Sequence, residues 1–72
     1  MAGFVIRATS SRDDEKIRWL SPEVQDSLRK LCNSRSEAEV FRTEETAKEV
    51  AGGCDAIARG LNWEWHFSVE PD

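Results

Sequence analysis

The sequence predicts an α+β protein, a small antiparallel sheet of three to four strands with two helices packed on one face. Two observations carry this. Trp63, Trp65, Phe67 and Val69 alternate strictly with Glu64, His66, Ser68 and Glu70, the pattern of a strand with one apolar face. Two other segments open with helix-capping residues and continue with apolar residues at helical spacing.

Taken in order, Phe4-Val-Ile-Arg-Ala-Thr9 is rich in β-formers and places Phe4, Ile6 and Ala8 on one side, a first strand. Ser10 to Asp14 is polar and turn-like, and Ile17-Arg-Trp-Leu20 reads as a short second strand. Ser21-Pro22-Glu23 predicts a helix start. Serine caps free amides, proline is preset for the first helical position, and glutamate complements the dipole. Val24, Leu28 and Leu31 then form one apolar stripe, and Asn33-Ser34 ends the helix.

Glu37 to Phe41 reads as a short extended piece. Thr43-Glu-Glu opens a second helix, with Ala47, Val50, Ala51, Cys54, Ile57 and Ala58 on its apolar side. Gly52-Gly53 interrupts that helix at about 1 kcal/mol per glycine relative to alanine. Either the helix bends there or the glycines admit a close neighbour. Gly60 is the expected left-handed cap. Both helices are expected to cover the face bearing Phe4, Ile6, Trp63, Trp65 and Phe67.

A chain of 72 residues has room for one domain, 1–72, with a thin core. The apolar run at the N-terminus is cut off by Arg7, too short for a signal peptide or a membrane span. The expected location is therefore cytoplasmic, with Cys32 and Cys54 as reduced, small core residues.

The polar residues form no catalytic or metal-binding pattern. His66 lies two residues from Glu64 on the polar side of the last strand, with no nucleophile or second acid at a telling spacing. Cys32, Cys54 and His66 lack the close ligand pair usual for structural zinc. Gly52-Gly53 is not a phosphate cradle, since no strand precedes it and no Gly-Lys-Ser/Thr follows. The expectation is a non-enzyme with no metal and no cofactor.

The net charge of −4 is unevenly spread. Residues 1–36 hold seven Lys/Arg against five acids, while residues 37–72 hold three against nine. Glu44, Glu45 and Glu49 gather at the start of the second helix and suit a basic protein partner. Arg18 and Trp19, at the junction before the first helix, are the expected contact pair. Direct nucleic-acid contact through Arg7, Arg12, Lys16, Arg18 and Trp19 is the alternative, disfavoured by Asp13, Asp14 and Glu15 among them. Self-association into a homodimer is a further alternative, since a thin core and an unpaired edge strand invite it.

The run Ala38-Glu-Val-Phe-Arg-Thr-Glu-Glu-Thr-Ala47, followed by a helix and a strand ending Ser68-Val-Glu-Pro71, resembles small phage and prophage proteins. The strand-strand-helix-strand order is similar to small phage inhibitors of host RNA polymerase and to some anti-CRISPR proteins. That resemblance implies an inhibitor or modulator of a host protein and assigns no numbered residue. The expected function is a non-catalytic protein-binding module acting through the acidic helix face.

Overall fold

The computed structural model describes residues 3–13, 15–25 and 28–72, and the side chains of these except at 24, 25, 28 and 29. It is α+β: a four-stranded antiparallel sheet, one α-helix and one 3-10 turn among the described residues. Strand β1 spans Phe4–Ser10, β2 Ile17–Gln25, β3 Leu28–Cys32 and β4 Trp65–Pro71. The 3-10 turn is Arg35–Glu37 and helix α1 is Glu44–Gly60. The strand order is β3-β2-β1-β4, so the first and last strands in sequence pair side by side.

The helix expected from Ser21 is corrected. Described residues on either side of positions 26 and 27, which lie outside the description, form the two antiparallel strands β2 and β3. Ser21-Pro22-Glu23 falls where the ladder between them shifts register, between Leu20 and Val24. Proline donates no amide, so a bulge accommodates it where a regular ladder does not. The Ser21 hydroxyl does accept an amide hydrogen bond, from Glu23 at 3.1 Å, but it closes a turn within the bulge. Among the described residues one α-helix, not two, therefore covers the sheet.

Cross-strand partners share a face. The pairs Ile6 with Val69, Ala8 with Phe67, and Leu20 with Leu31 fix one face toward the helix. The core there joins Ile6, Leu20 and Phe41 to Ala47 and Ala51 of α1, with Phe4, Val50, Cys54, Phe67 and Val69 packed around them. The alanines let the helix axis approach the sheet closely. Arg7, Thr9, Ile17, Trp19, His66, Ser68 and Glu70 take the other face, as their pairings require.

The ladder between β1 and β2 runs from Arg7 to Thr9 and no further. Beyond it the chain at 39–41 is inserted. The Glu39 amide donates to the Leu20 carbonyl at 2.9 Å, and Phe4 and Phe41 exchange hydrogen bonds of 2.9 and 2.7 Å. This is the extended piece expected before the helix. Gly3 borders it: a Cβ there would lie 2.6 Å from the Val40 side chain, so the close approach requires glycine.

Thr43 caps α1 as expected, its hydroxyl accepting from the Thr46 amide at 3.2 Å. The C-terminal cap is corrected from Gly60 to Asn62. Asn62 has φ 58°, the Trp63 amide donates to the Ala58 carbonyl at 2.8 Å, and the Asn62 amide donates to Arg59 at 3.2 Å. Those two bonds are the Schellman pattern, which accepts asparagine in place of glycine. The helix thus runs through Gly52-Gly53 and reaches Gly60.

Candidate functional site

The strand places Arg18 and Trp19 on opposite faces of the sheet. Adjacent residues of a strand point to opposite faces. Arg18 pairs with Ala8 on the helix side, and its guanidinium donates to the Ile17 carbonyl at 2.9 Å. Trp19 pairs with Arg7 on the other side, where the Arg35 guanidinium lies 5.2 Å from the centre of its ring. Arg35 also reaches Glu70 at 3.6 Å and Asp72 at 3.8 Å, and Glu70 binds Arg7 at 3.0 Å. These groups hold the C-terminus and the loop after β3 to the sheet, so Arg7 and Trp19 already serve the fold.

Glu44, Glu45 and Glu49 are all exposed on the first turns of α1. Lys48 binds Glu44 at 2.8 Å, and that hydrogen bond, with the attraction of the same carboxylate, raises the lysine above its ordinary pKa. The helical period places Glu45, Glu49, Gly52, Gly53, Ala56 and Gly60 along the side opposite the buried alanines, and all six are exposed. A Cβ built at Gly52, Gly53 or Gly60 meets nothing within 4 Å. No element of the described structure approaches the glycines, and the helix runs through them. The outer face is therefore acidic at its start and bare of side chains further on.

The second cluster was missed in the sequence. Trp63 and Trp65 were expected in the core, yet Trp63 is 44% exposed and precedes β4, while Trp65 is half-buried. The Schellman turn leaves Trp63 at the helix end beside Leu61, which is also exposed. Ile57, assigned to the apolar stripe, is 44% exposed as well. The two indoles form the shared wall of two clefts. One, of about 240 Å³, adds Arg12, Leu31, Asn62 and Glu64. The other, of about 260 Å³, adds Asp55, Arg59 and His66.

Ser10 sets this geometry. Buried at the end of β1, its hydroxyl binds the Glu64 carboxylate and accepts the amides of Arg12 and Asp13 at 3.1 and 3.2 Å. The Ser11 amide donates to the Glu64 carbonyl at 2.8 Å. The β1–β2 loop and the turn before β4 are thereby joined, which carries Arg12 to the tryptophans. On the other side Asp55 accepts the Phe67 amide at 3.1 Å. The sequence signal is Asn62, which can take the left-handed cap in place of Gly60 and then puts Trp63 in the turn.

Among the described residues no three of His, Cys, Asp and Glu are gathered so as to hold a metal ion. No described helix is long and apolar enough to cross a membrane. Compared with known proteins, the chain matches no family, no curated sequence and no solved structure.

Proposed function

We propose that this chain is a non-catalytic protein-binding module, of the kind phages use to inhibit or modulate a host protein, and that it docks through the outer face of α1. One observation carries the reading. Gly52 and Gly53 lie inside a 17-residue helix, exposed, with open space where a side chain would be. Each glycine costs about 1 kcal/mol against alanine. Nothing within the described fold uses the space they leave, so the fold gains nothing in return. A partner that packs its backbone or a flat side chain against the bare stretch does use it.

Glu44, Glu45 and Glu49 extend the same face toward the helix start and supply charge. They draw a basic surface into register and make the association weaken with salt. The partner class that fits is thus a protein with a cationic rim beside a relatively flat patch.

Affinity capture from a bacterial lysate tests this, with tagged wild type beside Gly53→Leu and Glu45→Lys/Glu49→Lys. Leucine favours the helix, position 53 is exposed and a Cβ there meets nothing within 4 Å, so the fold is expected to be retained. Capture of one dominant protein by wild type, lost with both variants, supports the reading. Capture unchanged by either variant excludes this face.

A further inference from the structure

We propose that the opposite end of α1 carries a separate site for single-stranded nucleic acid, in which Trp63 and Trp65 stack two successive bases while Arg12 and Arg59 hold their phosphates. Each cleft is lined by both indoles, with Trp63 44% exposed. Each has a volume of about 240 to 260 Å³, space for one ring system rather than a drug-sized molecule. Each holds one guanidinium, and neither Arg12 nor Arg59 has a salt bridge among the described residues.

Each cleft also holds a carboxylate that accepts a hydrogen bond within the fold and keeps its negative charge, Glu64 from the Ser10 hydroxyl and Asp55 from the Phe67 amide. Each cleft therefore offers a ligand a planar surface and a guanidinium whose pull on a phosphate is partly offset by that carboxylate, so stacking on the indoles leads. Single-stranded nucleic acid repeats a planar ring and an anion at every unit, and aromatic stacking tolerates any base. An acidic peptide supplies the anions without a ring at each step, so it fits half of the arrangement.

The assignment differs from the basic and aromatic set of the sequence reading. Arg12 remains in it, Arg59 joins it, and Arg7 and Trp19 leave it for the opposite face. The surroundings limit its strength. Asp13 and Glu15 stand exposed on the Arg12 loop, and the outer face of α1 is acidic. Contact is confined to about two phosphates, so log K should fall with log salt at a slope of roughly −1.4.

Fluorescence anisotropy of fluorescein-labelled octathymidylate, titrated with the full chain at low salt, tests the proposal. Binding is expected with quenching of tryptophan emission and that shallow slope. Trp63→Ala should weaken it by about 5- to 150-fold, the range for loss of one stacked base. Trp63→Phe, which keeps a ring, should retain most of it and guards against a folding defect. Arg12→Ala and Arg59→Ala should each flatten the slope by about 0.7.

No complex at low salt overturns the proposal, as does affinity indifferent to Trp63→Ala. Displacement of the oligonucleotide by polyglutamate at equal charge would reassign the clefts to acidic protein segments. None of these outcomes bears on capture through Gly53, which lies on another face of the helix.

Discussion

The guanidinium of Arg35 lies 5.2 Å from the centre of the Trp19 ring while reaching Glu70 and Asp72, so one side chain from the 3-10 turn ties β2 to the end of β4. It also donates to the Pro71 carbonyl. The groups are partly exposed, which keeps each ion pair weak, and a cation over an exposed ring adds about 0.5–1 kcal/mol. Arg35→Ala should therefore lower the unfolding free energy by about 1–2 kcal/mol in urea titrations followed by tryptophan fluorescence. Arg35→Lys should recover part of the charge effect and little of the stacking. A variant as stable as wild type would show that the cluster is ornamental.

The first strand, the capped helix and the last strand were legible because local pattern and tertiary packing agree there. Thr43 caps as its type suggests, and Ile6, Phe67 and Val69 face the helix as their alternation requires. Ser21-Pro22-Glu23 misled because its capping bond is local and real, while the pairing of Leu20 with Leu31 that overrides it is invisible in a window of that length. Trp63 misled for a related reason. Its alternation with Trp65 continues a strand pattern into residues that the helix stop has already claimed. Glu44, Glu45 and Glu49 were legible as an exposed face, whereas the tryptophan clefts depend on Ser10 joining two loops distant in sequence.

Gly52→Ala and Gly53→Ala should each stabilise the protein. The new methyl meets nothing within 4 Å and both residues are helical, so the gain follows helix propensity at about 0.5–1 kcal/mol apiece. The double variant should melt several degrees higher by circular dichroism. If it melts lower, an unseen constraint acts on those backbone positions and the argument for an external partner fails with it.

Cys32 offers a pH-dependent test. Burial raises its thiol pKa, the charge of Glu37 adds to the rise, and hydrogen bonding from the Ser34 backbone partly opposes it. The folded thiol therefore holds its proton to higher pH than the unfolded one. Above the ordinary thiol range, near about 8.5, the unfolded chain releases protons first and stability falls as pH rises. In a Cys54→Ser background, alkylation by iodoacetamide should show a midpoint above that of an unstructured peptide carrying the same cysteine. The stability loss between pH 8 and 10 should shrink in Cys32→Ser. A midpoint at or below the peptide's would mean that Cys32 is not shielded.

Asp55 protects an edge. The Phe67 amide points to its carboxylate at 3.1 Å and away from β1, so this donor lies on the outer side of β4, the last strand of the sheet. An uncovered edge donor invites another strand. Asp55→Ala should cost about 1.5–3 kcal/mol, the range for a hydrogen bond to a charged group. It should also increase concentration-dependent association, measured by light scattering, because the freed amide completes a template along β4. Asp55→Asn keeps an acceptor oxygen and should restore most of the stability and the monodisperse behaviour. If Ala and Asn behave alike, the carboxylate acts through its charge at the helix rather than through the strand, and the edge is guarded by other means.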